Sequence, residues 1–189
     1  MSSMASATSV GRPFTTDDLE AMPADGRRYE LIDGELLVSP APSWAHQEAA
    51  LTLAGLLRAA CPRELRVIIA PFAVRPDRHN ELQPDVLVAR YGDLTPKDLP
   101  VAPVLAVEVI SPSSRLIDPS LKKAAYARLG VRWFWLIDPD PQHPSLTTFE
   151  LAGDGYREIA SVAGDEPLVL SAPISVTIVP ADLVRGLLP

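Results

Sequence analysis

Residues 103–138 read PVLAVEVISPSSRLIDPSLKKAAYARLGVRWFWLID, and their reading decides the fold. The segment 103–110 is almost continuously apolar, the pattern of a strand buried on both faces. Asp118-Pro119 then has the form of a helix start, with Asp as N-cap and Pro, which lacks an amide to satisfy, at the first helical position. Gly130 closes the helix as a left-handed C-cap residue would. VRWFWLIDP (131–139) follows as another buried strand and ends in the turn-forming DPDP. Trp133 and Trp135 share one face of it and are expected in the core. One residue breaks the apolar logic. Glu108 sits between Val107 and Val109, and burying an ionised carboxylate without a partner is expensive.

Working outward, QPDVLVA (83–89) reads as another strand buried on both faces, and LRVIIA (65–70) and FAVRP (72–76) as shorter ones. Upstream, Ser43 starts an apolar-periodic helix, with Leu53, Leu56, Leu57 and Ala60 at helical spacing and Pro62 as its stop. In RRYELIDGELLVSP (27–40), Asp33-Gly34 between apolar runs is a strong hairpin signal. FTTDDL (14–19) resembles a short capped turn. Downstream, LTTFEL and YREIA flank Gly153-Asp154-Gly155 as a second hairpin, and LVLSA, SVTIV and a last helical turn complete the chain. The sum is a mixed α/β domain over 14–189 behind a flexible lead, 1–13, with a curved sheet carrying at least two helices.

Composition narrows the function classes. Seventeen Lys and Arg against 24 Asp and Glu give a net charge of −7, which argues against broad attraction to nucleic acid. The same balance suits a pocket where carboxylates collect a divalent cation. No apolar run approaches the ~20 residues of a membrane span. MSSMASATSVGRP lacks the apolar stretch of a secretory signal. A single cysteine, Cys61, excludes an intrachain disulfide and fits a cytoplasmic location.

The chemistry is expected from Asp85, Glu108 and Lys122. A cation between the two acids would offset the cost of burying Glu108, and Mg²⁺ takes one or two carboxylates together with water and substrate phosphates. An ammonium beside the scissile phosphate would stabilise developing charge. Asp118, Lys122 and Tyr126 fall at i, i+4 and i+8 on one helix face, so Asp118 or Tyr126 is placed to orient Lys122. His46, in the first turn after Ser43, and Gln83, before Pro84, are possible supporting residues.

Each residue also has a plain structural reading. Asp85 caps a turn, Glu108 pairs with an arginine, Lys122 is a solvated helix residue, Glu30 is a cross-strand partner of Arg27 or Arg28, and His46 belongs to a cap or the core. Ser111 and Ser113 bond backbone amides in the loop after the strand.

The ordered series YELIDGEL, Ser43 with His46, QPDVLVA, AVEVISPSS, and D…KKAAY…GV.WFWLIDP resembles the Uma-type family of "putative restriction endonucleases", domain of unknown function 820, within the PD-(D/E)XK nuclease superfamily. The likeness covers roughly residues 14–160. It implies a restriction-endonuclease-like core: a central mixed β-sheet flanked by α-helices, with an N-terminal β-hairpin and extra C-terminal strands. It implies Asp85, Glu108 and the Val109 carbonyl as ligands of Mg²⁺ or Mn²⁺, Lys122 as the catalytic lysine, and Glu30 as a further acid reaching the site. In this chain Ile110 fills the superfamily's E-x-K lysine position. The family carries that lysine on the following helix, four residues before a tyrosine, and Lys122 before Tyr126 matches it.

The expectation is a Mg²⁺-dependent endonuclease acting on DNA as a homodimer. Arg75, Arg78, Arg115, Lys122, Lys123, Arg128 and Arg132 would form a basic rim if the fold gathers them. A catalytically silent nuclease-fold module for protein interaction or oligomeric assembly is the alternative, motivated by the acidic charge. RNA as substrate would use the same site.

Overall fold

The computed structural model describes residues 5–7, 12–110 and 119–187. Asp118, Ser111, Ser113 and Arg115 lie outside them. Beyond the short strand β1 (Ala5–Ala7), the capped turn is realised as α1 (Thr16–Glu20). Thr15 opens it with a capping box closed by Asp18. The hairpin follows as β2 (Arg28–Ile32) and β3 (Glu35–Ser39), turned through Asp33 at φ 53 and Gly34 at φ 79, the left-handed pair of a type I′ turn. A Cβ at Gly34 would lie 2.4 Å from Pro13 Cβ, so the position excludes a side chain on two counts.

Helix α2 (Trp44–Ala60) buries His46, Ala49, Ala50, Leu53, Ala54 and Leu57 along one stripe. Four strands succeed it: β4 (Leu65–Ile69), β5 (Ala73–Asp77), β6 (Asn80–Leu82) and β7 (Val86–Arg90). After the two-residue β8 (Asp98–Leu99) come β9 (Leu105–Val109), α3 (Pro119–Arg128) and β10 (Trp133–Asp138). The second hairpin is β11 (Ser145–Ala152) and β12 (Gly155–Ala163), and β13 (Leu168–Leu170), β14 (Val176–Ile178) and α4 (Pro180–Val184) end the fold.

The strands divide between two six-stranded sheets and a small ribbon. One sheet runs β1-β3-β2-β6-β5-β8, the other β12-β11-β10-β9-β7-β4, and β13 pairs with β14. In the second sheet only β9 and β10 are parallel, as befits strands joined across a helix. The mixed α/β class expected from the sequence is therefore present, with the hairpin absorbed into a sheet of its own.

Alternation along the second sheet sorts side chains onto two faces. Val86, Val88, Leu105, Val107, Val109, Trp135 and Ile137 pack with the α2 stripe, α4 and β14. Trp133 is partly buried against the same cluster. On the other face, Ala106 and Phe134 pack with Ala125, Tyr126 and Val131 at α3. Gly130, at φ 78, ends α3 as expected, and the Val131 amide donates to the Tyr126 carbonyl at 3.0 Å, the long bond of a Schellman cap.

Candidate active site

The register of β7 against β9 explains why two distant acids meet. Leu87 pairs with Ala106 and Val86 with Val107 in an antiparallel ladder. Asp85 immediately precedes β7, so this ladder ends next to Glu108. The Asp85 carboxylate then folds back on the ladder, its Oδ2 accepting from the Val109 amide at 2.9 Å. The neighbouring-strand geometry inferred for these residues is the observed one.

Helix α2 supplies the next contact. Ser43, its N-cap, accepts from the His46 amide at 3.3 Å and fixes the first turn. His46 Nε2 lies 3.0 Å from Asp85 Oδ2. An ionised carboxylate only accepts, so the shared proton is on Nε2. His46 Nδ1 is buried without a hydrogen-bond partner among the described residues. The hairpin delivers two more side chains from one face of β2, two residues apart. Arg28 Nη1 donates to Asp85 Oδ1 at 2.8 Å and to the Gln83 carbonyl at 3.1 Å. Glu30, with no exposed surface, accepts from the Gln83 amide at 2.8 Å through Oε1. Gln83 thus contributes its backbone to this lattice.

Helix α3 closes the site. Lys122 Nζ is 3.2 Å from both Glu108 oxygens and 2.8 Å from Glu30 Oε2, an ion pair whose angle is poor for a hydrogen bond. One turn on, the Tyr126 hydroxyl donates to Glu108 Oε1 at 2.6 Å. Residues on two sheets and two helices therefore converge on one point: Arg28, Glu30, His46, Asp85, Glu108, Lys122 and Tyr126. Arg28 is the member that sequence reasoning missed as a site residue. The signal was present, since strand alternation puts Arg28 on the same face as Glu30, but an arginine at a strand end reads first as a solvated residue.

The electrostatics assign roles. Burial alone would raise the Asp85 pKa, yet the His46 hydrogen bond and the charges of His46, Arg28 and Lys122 hold it well below the ordinary value. Burial works against the charge on Lys122, and Glu108, Glu30 and Asp85 outweigh it, keeping the ammonium protonated throughout the neutral range. Lys122 is therefore a fixed cation rather than a base. Tyr126 is held neutral by burial and by Glu108, so it stays a donor. Glu108 goes the other way. Burial, assisted by Asp85 and Glu30 and opposed by Lys122 and Tyr126, pushes it up to about 7.

Three carboxyl groups here face Arg28, Lys122 and the His46 ring nitrogen, and Glu108 is the one pushed toward its protonated form. A hard divalent cation fits such a place, because the convergent donors are oxygens and Mg²⁺ needs only one or two carboxylates beside water. Among the described residues no group of three or more His, Cys, Asp or Glu side chains is arranged to hold a metal.

Beside Asp85 opens a groove of about 610 Å³, lined by Arg27, Arg28, Trp44, Leu51, Ile69 and Pro71 among others. Among the described residues, Arg75, Arg78, Lys123, Arg128 and Arg132 do not line it. Arg75 pairs with Glu81 and Glu20, Arg128 with Asp33, and Arg132 with Glu150, while Lys123 lies over the Phe149 ring. No described helix is long and apolar enough to cross a membrane.

No curated protein matches this sequence. Among solved structures, the fold is similar to that of a "putative nuclease belonging to DUF820" from Anabaena variabilis. The TM-score is 0.68 at 19% identity, covering 93% of this chain and 100% of that one. At sequence level, the model of the Uma2 family, described as "Putative restriction endonuclease", matches residues 16–181. That span includes every described residue of the site, and the chain belongs to the Uma2 family.

Proposed function

We propose that this protein is a divalent-metal-dependent nuclease that hydrolyses phosphodiester bonds of DNA. The observation that carries the reading is the convergence of Asp85 and Glu108 from adjacent strands with Lys122 over Glu108. Family membership supports the nuclease class.

Asp85 and Glu108, with the Val109 carbonyl, would hold Mg²⁺ or Mn²⁺. Such an ion supplies an activated water and polarises a phosphoryl oxygen. The protein's own residues do the rest. Lys122 presents a permanent positive charge to the phosphoryl oxygens as they gain charge in the transition state. Glu30 anchors that ammonium from below, and Tyr126 fixes the plane of the Glu108 carboxylate. His46 and the Val109 amide hold Asp85 ionised and oriented. The protein acts in the cytoplasm as a homodimer, since two-fold symmetry presents two sites to the two strands of a duplex.

Purified protein incubated with supercoiled plasmid and Mg²⁺ or Mn²⁺ is expected to nick or cut it, and EDTA to stop it. Lys122→Ala and Asp85→Ala are each expected to slow cleavage by about 100-fold or more, the usual loss when one charge-stabilising group is removed. Cleavage indifferent to both substitutions would exclude this mechanism. Cleavage of RNA but not plasmid would move the substrate class, and a monomer by light scattering at working concentration would remove the dimer.

A further inference from the structure

The two oxygens of Asp85 are unequally engaged. Oδ2 already accepts from His46 Nε2 at 3.0 Å and from the Val109 amide at 2.9 Å. Oδ1 accepts from Arg28 Nη1 at 2.8 Å, and it is the oxygen with capacity left for another ligand. The guanidinium pairs with a buried acid but does so through a single nitrogen. Both of its hydrogen bonds, to Oδ1 and to the Gln83 carbonyl, come from Nη1. It also lines the groove beside Asp85, with 17% of its side chain exposed. A planar fork with five donors is suited to more than that, so the structure leaves it room to leave.

We propose that Arg28 is the resident counter-ion of the metal-free site, holding the Asp85 oxygen that a divalent cation would take, so that metal and guanidinium compete for it. This rests on the reading of Asp85 as a metal ligand. It goes further by giving a residue outside the acid and lysine set a defined effect on metal affinity. In the metal-free protein, Arg28 neutralises a buried carboxylate that stands near Glu30 and Glu108. When the ion arrives, it takes over that neutralising role and Arg28 is released toward the groove. The site is then intact in both states, and the metal is bound less tightly than the acids alone would bind it.

The test is calorimetric titration of Mn²⁺ into wild type, Arg28→Gln and Arg27→Gln, with no nucleic acid present. Arg27 lines the same groove but pairs with Asp25 at the surface, so its substitution makes the same charge change without touching Asp85. Arg28→Gln is expected to tighten Mn²⁺ binding by about tenfold, an ordinary coupling between two ligands sharing a site, and Arg27→Gln to leave it within about twofold. Thermal unfolding provides a second readout: Mn²⁺ should raise the melting temperature of Arg28→Gln more than that of wild type. If Arg28→Gln does not fold without metal, Arg28→Lys replaces it, with affinity expected between the two. Equal or weaker binding by the Arg28 variants overturns the competition while leaving the metal site standing. An equal gain in Arg27→Gln also overturns it, because the effect is then one of general charge. Absence of Mn²⁺ binding in every variant, at millimolar metal, removes the metal site and this proposal together.

Discussion

Glu108 shows how one residue can carry both a cost and a purpose. Its carboxyl group lies among Lys122, Tyr126, Glu30 and Asp85, and burial raises its pKa from 4.5 to about 7. A carboxyl whose pKa is higher folded than unfolded binds more protons in the native state between those two values. In the metal-free protein its contribution to stability is therefore complete below pH 4.5 and lost as pH rises to about 7. Asp85 has the opposite sign, since its depressed pKa adds stability above 3.8 that disappears in acid. Glu108→Gln, which cannot ionise, is expected to melt above wild type at pH 8 in EDTA and not at pH 5, by differential scanning calorimetry. A difference between the two proteins that does not change with pH would contradict the assignment. At this scale the sequence was informative for a physical reason: an acid inside an apolar strand demands a partner, and Glu108 could be singled out without coordinates. Arg28 could not, because alternation in RRYELI puts it on the face of Glu30 without saying whether that face turns inward. That depends on β2 lying beside β6 and on the position of Asp85.

At the level of elements, the caps mattered more than helix propensity. Ser43 stops the α2 backbone where its first turn points His46 at Asp85, so one hydroxyl links a local helix signal to the site. Ser43→Ala is expected to cost about 1 kcal/mol of stability, the usual value of an N-cap, and to weaken Mn²⁺ binding through a less constrained His46. A stability loss with metal affinity unchanged, in denaturant melts and titration together, would show that the cap serves the helix alone. The hairpin turn at Asp33-Gly34, the Pro62 stop and the Gly130 cap were all legible because each is set by local stereochemistry. Strand identity was legible for β7, β9 and β10, whose apolar runs are buried on both faces. Their partnership was an inference, and the antiparallel register of Val86 with Val107 is what turns two separate acids into a pair.

For the whole molecule, the charge balance sets the mode of binding. The net charge is −7, and Arg75, Arg128 and Arg132 are engaged with carboxylates rather than free to displace counter-ions from a polyanion. Each phosphate neutralised adds about 0.9 to the slope of log affinity against log salt. DNA binding, measured by anisotropy with Ca²⁺ in place of Mg²⁺, is therefore expected to depend on the divalent ion and to show a shallow slope of about −3 or less in magnitude. A slope near −6 would reveal a basic face that these ion pairs conceal. The sequence could count the charges but not pair them: Arg128 reaches Asp33 across 95 positions of chain. The division into two sheets was hidden for the same reason, since β2 finds β6 only after a helix and three strands intervene. The two-sided wiring of β9 has an engineering consequence. Its odd-numbered side chains, Leu105, Val107 and Val109, belong to the α2 core, whereas the even-numbered Ala106 and Glu108 look toward α3. A library confined to even positions of that strand would retune the chemistry while leaving the larger core undisturbed. A single inserted codon upstream of Glu108 within β9 would exchange the two sides and forfeit both.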